Sequence, residues 1–310
     1  PVFYYVPPQI WAWAQWRIGK MRRLVDHVLC SLPFEQEWFT EGGCNATLVG
    51  HPFFEQLDEK PLDREFIESR RRTDKPWVVI LPGSRTQEVE SNLGRFLQAA
   101  EQIRSQRPDV RLAVAAFKPQ HAEVARRAAE ARGLPVEVHV GKTAELMELA
   151  HASMACSGSV SLELLYHIRP TVILYEISRF AIWVQSWFRR VKYITLVNLL
   201  ADEDRFPENI RRQDPAEVCA PSVPFPEYLT WEDKSADIAA HLLRWLNDPE
   251  CYREKVAQLT ELRDRVARPG ATERAARYIL DTIDGPARHV GKPHFQAAAR
   301  SSVSAASEGG

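Results

Sequence analysis

Two short turns in this chain carry the residue types that hold phosphate groups. Pro82-Gly83-Ser84-Arg85 follows the apolar run Trp77-Val78-Val79-Ile80-Leu81 and precedes a segment of helical period. Gly83 lets the backbone approach a ligand or adopt positive φ. Ser84 can cap the helix or donate to an oxygen. Arg85 adds a charge and a planar fork suited to phosphate. Taken alone, the turn reads more simply as a cap, with Arg85 pairing with Glu88 one turn on.

The second turn is Ser157-Gly158-Ser159. It follows a buried-looking strand ending at Cys156, and a helix with Glu163 in its second turn comes after it. Backbone N–H groups at a helix N-terminus are unpaired, and the dipole there favours anions. A diphosphate suits such a turn, and the Glu163 carboxylate suits the two hydroxyls of a ribose. The alternative is an ordinary capped helix with Glu163 in solvent. No Gly-Lys-Ser/Thr follows either turn, and the spacing is not G-x-G-x-x-G. A third stretch, 194–213, has little periodicity and offers Asn198, Glu208 and Gln213 as polar groups. It reads as a functional loop or as a plain surface crossover.

The elements that must position these turns alternate along the chain. Strands are expected at 2–6, 27–31 and 47–50, with helices at 13–25 and 33–41. Residues 50–63 read as a connector, with two prolines and no clean period. A second block has strands at 77–81, 111–116, 135–139, 152–156 and 171–175. Helices fill the gaps at 86–105, 119–132, 143–150 and 159–167. Three more are expected at 178–189, 234–247 and 250–283, the last broken near Pro269-Gly270. This alternation predicts an α/β fold with parallel sheets covered by helices on both faces. Ligands then bind where strands end and helices begin. The small and polar residues of 285–310 predict a disordered tail.

Bulk properties remove several function classes. Charged residues make up 26% of the chain and the net charge is -1, so no global basic field argues for nucleic acid. The five cysteines show neither C-x-x-C spacing nor a zinc-ligand pattern, which fits a reducing, cytoplasmic compartment without a metal site. No apolar run approaches the roughly 18 residues of a membrane helix. Two segments nevertheless mix aromatic and basic residues. Residues 11–25 carry Trp11, Trp13 and Trp16 beside Arg17, Lys20, Arg22 and Arg23. Residues 179–194 carry Phe180, Trp183, Trp187 and Phe188 beside Arg189, Arg190 and Lys192. Such segments suit an anionic lipid surface or, equally, a core face backed by a solvated basic face. Trp183 and Trp187 are four apart and fall on one helical face, which favours lipid for the second segment.

Taken together, the stretches YYVPPQIWAW (4–13), PFE (33–35), VGHP (49–52), LPGSRTQEVE (81–90), CSGSVSLEL (156–164) and VNLLADEDRFPE (197–208), with Gln213, resemble the lipid-A-disaccharide synthase family. The match runs over roughly residues 3–283. The resemblance implies a GT-B glycosyltransferase of two Rossmann-like parallel-sheet domains, the N-terminal one incomplete. Residues 1–55 would be the remaining part of the acceptor-side domain and 56–284 the UDP-sugar-binding domain.

The reaction it implies moves 2,3-diacylglucosamine from UDP-2,3-diacylglucosamine to the 6-hydroxyl of 2,3-diacylglucosamine 1-phosphate (lipid X), without metal or cofactor. Gly83, Ser84, Arg85, Ser157, Gly158, Ser159, Glu163, Asn198, Glu208 and Gln213 would bind UDP, with Arg85 stabilising the leaving group. Trp11, Trp13, Trp183, Trp187, Arg189 and Arg190 would meet acyl chains or the cytoplasmic face of the inner membrane of a Gram-negative-type bacterium. Association into oligomers is compatible with the reading.

The chain departs from the family at several places. Pro7-Pro8 replaces Ser-Pro, Ser159 replaces a threonine, and Ile168-Arg169-Pro170 replaces Gly-Arg-Pro. The family's N-terminal domain also begins well before residue 2, with the acidic residues that include its candidate base, so no general base is assigned here. Two other readings remain open. One is another UDP-N-acetylglucosamine enzyme of the same fold, and the other is a non-catalytic nucleotide- or membrane-binding remnant.

Overall fold

The computed structural model describes residues 1–180, 183, 187, 189–206 and 220–284. Its strands form two parallel sheets. The first has three strands, β1 (Phe3–Tyr5), β2 (His27–Cys30) and β3 (Ala46–Leu48), in that order. The second has six: β4 (Trp77–Leu81), β5 (Arg111–Ala116), β6 (Val136–Val140), β7 (Ala150–Cys156), β8 (Thr171–Glu176) and β9 (Glu227–Thr230). Their spatial order is β6-β5-β4-β7-β8-β9, all parallel. Counted within that sheet the order is 3-2-1-4-5-6, the doubly wound arrangement, whose switch point lies between β4 and β7.

Strand chemistry explains the layering. All five residues of β4 are buried, as both faces of the sheet are covered. Val78 and Ile80 point to one apolar cluster, while Trp77, Val79 and Leu81 point to the other. The first cluster packs on helices α6 (Thr86–Gln106), α7 (Pro119–Glu130) and α11 (Ser235–Asn247). Within α6, Val89, Leu93, Phe96, Leu97, Ala100 and Ile103 form one buried stripe at helical spacing. The second cluster holds α8 (Thr143–Leu149), α9 (Val160–Tyr166) and α12 (Pro249–Val266). It continues without a break into Val28, Cys30, Phe34 and Phe39 of the first sheet's layer, where α3 (Pro33–Glu41) lies.

The last helix, α13 (Ala271–Asp284), returns to the first sheet. Its Ala275 packs with Leu29 and Val49, Arg274 Nε donates to the Val49 carbonyl at 2.9 Å, and the Tyr278 hydroxyl meets His27 Nδ1 at 3.0 Å. Gly50 makes this docking possible. Its φ is +94°, and a Cβ there would stand 2.8 Å from Arg274 Nη2.

Several expectations need correction. The first helix is interrupted: α1 (Ile10–Trp13) ends, a 3₁₀ turn covers Gln15–Arg17, and α2 (Ile18–Leu24) follows. Ala14, at φ -142°, breaks the helical run. The connector contains α4 (Phe53–Glu59), and α5 (Arg64–Arg71) follows, started by Asp63 accepting from Phe66 N at 3.0 Å. Each is too short to establish a period, and packing supplies the rest. The third stretch is helical over α10 (Leu196–Ala201). β9 is too short for alternation to announce it. The break near Pro269-Gly270 is present, with Gly270 at φ +81°. Residues 285–310 lie outside the described residues, as do parts of the 178–189 segment, where Arg179, Phe180, Trp183 and Trp187 are helical. Ile168, where the resemblance implies a glycine, sits at φ +53°, which a β-branched side chain adopts only under strain.

Candidate functional site

The strand order brings the two turns together. β4 and β7 are neighbours with Leu81 opposite Ala155, so Pro82–Arg85 and Ser157–Ser159 leave the same sheet edge side by side. More than 70 residues separate them in sequence, and only the crossover at the switch point brings them to one edge.

The first turn is held by a carboxylate. Glu88 Oε2 accepts the backbone N–H groups of Ser84 and Arg85 at 3.0 and 3.2 Å, and Arg85 Nη1 donates to Glu88 Oε1 at 3.1 Å. Glu88 therefore holds the N–H groups of the N-cap residue Arg85 and of Ser84 before it. Gly83 is obligatory here: its φ is +126°, and a Cβ would lie 2.6 Å from Glu88 Cβ. Ser84 is exposed, and the Arg85 side chain is 81% exposed. An exposed guanidinium on a rim is free to swing onto an arriving anion, since its contact with Glu88 is worth little in solvent.

Asn92 ties the two turns, a role that its residue type alone does not announce. This buried amide donates to the Glu88 carbonyl at 2.8 Å and to Cys156 Sγ at 3.4 Å, and it accepts the Glu176 N–H at 3.0 Å. One side chain thus joins α6 to the ends of β7 and β8. The signal was present, because Asn92 is a polar residue inside the apolar stripe Val89, Leu93, Phe96. Arg95 reinforces the link through Glu176 at 3.1 Å and Asp233 at 3.0 Å. His121, buried at the start of α7, places Nε2 3.3 Å from Thr86 Oγ1, adding a brace from the β5 side. Burial and the Glu88 charge push the Cys156 thiol up to about 12, so it stays a neutral packing group.

In the second turn Ser161 Oγ donates to the Gly158 carbonyl at 2.8 Å. Glu163 is nearly covered, its side chain 13% exposed, with Oε1 3.6 Å from Lys60 Nζ. Burial raises its carboxyl above the usual range, and Lys60 works against that shift.

The remaining candidates separate. Asn198 is turned inward. Its Nδ2 donates to the Phe225 carbonyl and to Glu227 Oε2 at 2.7 and 3.0 Å, and its Oδ1 accepts the Phe225 N–H. Glu227 also accepts the Ile194 and Thr195 N–H groups, so Asn198 braces that turn. Glu208 and Gln213 lie outside the described residues. Trp11 is 1% exposed and Arg189 is 8% exposed, so both are interior and neither presents itself to a lipid surface. Burial lowers the Arg189 pKa, and Glu227 opposes this. Trp13 is half-buried against the core. Trp183 and Trp187 are exposed at 57% and 66%, their rings 5.5 Å apart, and Phe180 lies 5.9 Å from Trp183. Arg190 is exposed beside them in sequence. Among the described residues no helix is long and apolar enough to cross a membrane, and no acid, His and Cys cluster has metal-site geometry.

Comparison with known proteins identifies the family and the fold. The sequence matches the family described as LpxB, lipid-A-disaccharide synthetase, over residues 1–243. It is 32% identical over 285 residues to the lipid-A-disaccharide synthase of Anaeromyxobacter dehalogenans (strain 2CP-1 / ATCC BAA-258), covering 91% of this chain and 69% of that protein. Identity is again 32%, over 286 residues, to the Myxococcus xanthus (strain DK1622) lipid-A-disaccharide synthase, with the same coverage. Among solved structures, the S. aureus MnaA–UDP co-structure superposes with a TM-score of 0.54 at 12% identity, covering 86% of this chain and 63% of that one. The chain thus spans less than two thirds of that structure. The fold is α/β of the GT-B type, and the chain belongs to the lipid-A-disaccharide synthetase family.

Proposed function

We propose that this member of the lipid-A-disaccharide synthetase family uses the β4–β7 crevice to hold the UDP moiety of UDP-2,3-diacylglucosamine. The sugar passes to the 6-hydroxyl of lipid X, giving the β-1,6-linked disaccharide 1-phosphate and UDP. The observation that carries the reading is the pairing of Pro82–Arg85 with Ser157–Ser159 at the switch point. Family membership supports this choice of substrates.

The chemistry follows from charge. As the acceptor oxygen attacks the anomeric carbon, the bond to the diphosphate oxygen breaks and negative charge grows on UDP. The N–H groups at the starts of α6 and α9 and the Arg85 fork face that charge, and preorganised donors of this kind lower the barrier most. Ser84, Ser157 and Ser159 would donate to diphosphate oxygens, and Glu163 would accept the ribose hydroxyls. Glu88 would yield the Ser84 and Arg85 N–H groups to the ligand. Residues 1–55 would contribute to the acceptor side and 56–284 to the nucleotide side. Phe180, Trp183 and Trp187 form an exposed aromatic patch, which, with the exposed Arg190 that follows in sequence, would rest on the cytoplasmic face of the inner membrane, where both acylated substrates would reside.

UDP at millimolar concentration should raise the melting temperature of this chain, with and without chelator. An unchanged melting temperature would remove the nucleotide site. Product analysis with acylated and unacylated UDP-glucosamine donors tests the substrate: transfer from the unacylated donor alone would point to a different UDP-sugar enzyme.

A further inference from the structure

We propose that Lys60, on the strap between α4 and α5, is a positioning residue that holds Glu163 in its charged, hydroxyl-accepting form. The inference rests on the reading of Glu163 as the ribose acceptor. Lys60 belongs to none of the stretches that mark the family.

The geometry is specific. Lys60 Nζ stands 3.6 Å from Glu163 Oε1, a charge contact too long for a hydrogen bond, and that oxygen has no hydrogen-bond partner. The carboxylate is 13% exposed and the ammonium 50% exposed. A covered carboxylate without donors tends to take up a proton. Once protonated, one of its oxygens becomes a donor and only the neutral carbonyl oxygen is left to accept, so the ribose hydroxyls lose the stronger, charge-assisted hydrogen bonds of a carboxylate.

The other charges around α9 do not replace Lys60. Glu145 on α8 is a like charge that opposes ionisation. On α4, Asp58 accepts the Tyr166 hydroxyl. On α12, Arg263 acts on Tyr166 rather than on Glu163. α10 carries no charged residue, and β7 contributes only His151 and Cys156 as titratable groups.

The strap is anchored on the same flank. Asp63 N donates to Glu145 Oε1 at 3.1 Å, and Lys142 Nζ meets Asp63 Oδ2 at 2.6 Å. Lys60 is therefore delivered to Glu163 by a fixed segment. On its other side it lines a cavity of about 920 Å³ with Tyr166, His167 and Arg169, which leaves room for the ammonium to move when a ribose arrives.

The test is UDP binding by calorimetry between pH 5 and 8, for the chain as it stands and for Lys60→Met, Lys60→Arg and Glu163→Gln. The Glu163→Gln profile supplies the titration of the UDP phosphate itself. Lys60→Met should move the midpoint of the remaining pH dependence upward by about one unit, equivalent to a tenfold loss of affinity on the affected limb. Lys60→Arg should restore it, and neither variant should change the melting temperature by more than a few degrees. A Lys60→Met profile that superposes on the parent, while Glu163→Gln differs, overturns the role of Lys60 and leaves the nucleotide site intact. A Glu163→Gln profile equal to the parent overturns the ribose reading, and the proposal with it.

Discussion

The indole N–H of Trp11 donates to Glu35 Oε1 across 3.1 Å, and both residues are 1% exposed. Glu35 Oε2 accepts three more donors, the Ser31 N–H, the Ser31 hydroxyl and the Leu32 N–H. Burial pushes the carboxyl above its usual range, and these donors pull against the shift. An aromatic residue with the composition of a lipid contact is thus a clamp between α1 and the start of α3. Trp11→Phe should cost about 1–3 kcal/mol, the penalty of a buried acceptor left short of a donor, read as a lower urea midpoint. Binding to anionic vesicles should be unchanged. The joint substitution of Trp183 and Trp187 by Ala should do the reverse, lowering vesicle retention several-fold at constant stability. Vesicle binding lost with Trp11→Phe alone would reverse this assignment.

Arg85→Ala should separate catalysis from stability. The side chain is 81% exposed, and its partner Glu88 keeps two backbone donors without it. Unfolding free energy should change by no more than about 0.5 kcal/mol. Turnover should fall about 10²–10³-fold, as loss of one transition-state donor does. Near-normal turnover in product assays would take Arg85 out of the mechanism.

Gly83→Ala tests the shape of the first turn. The substitution meets positive φ and a 2.6 Å approach to Glu88 Cβ. Left-handed strain of about 1–2 kcal/mol is released only by moving Glu88 off the Ser84 and Arg85 N–H groups. UDP affinity should drop by roughly tenfold, measured by calorimetry. Unaltered affinity would mean that the turn does not touch the ligand.

Lys255 should give stability a basic-side pH dependence. Its ammonium is buried on α12 and donates to the Pro221 and Val223 carbonyls and to Gln258 Oε1 at 3.0, 2.7 and 2.6 Å. Desolvation nevertheless lowers its pKa from 10.5 to about 8. Below pH 8 both folded and unfolded chains carry the proton, and the burial cost is fully present. Between pH 8 and 10.5 the unfolded chain binds more protons, so stability rises with pH. Relative to Lys255→Met, the parent should gain at most about 3 kcal/mol across that window, in urea midpoints. A constant difference would show that the three oxygens hold the charged form throughout.

Much of this architecture was legible in the sequence because its signals are local. Strand 77–81 and helix Thr86–Gln106 each carry their own period, and Gly83 and Gly270 mark turns that positive φ requires. α4 and α5 were not legible. They are short and hold their form through Phe54 and Ile67 packing into the core. Asn92 was visible as an oddity, but its role depends on Cys156 and Glu176 arriving beside it.

The sequence by itself determined the alternation of strands and helices, the two phosphate-suited turns and the family. Each is written in neighbouring residues, in backbone preference and side-chain period, or in the order of short stretches. Only the tertiary structure decided that β7 lies against β4, which brings two remote turns to one sheet edge. It also decided that Trp11 and Asn198 face inward while Trp183 and Trp187 face out, and that Glu163 is answered by Lys60. These outcomes depend on which surfaces meet across long stretches of chain. An aromatic ring gains the same free energy from any apolar contact, so its type alone does not choose between a core and a membrane.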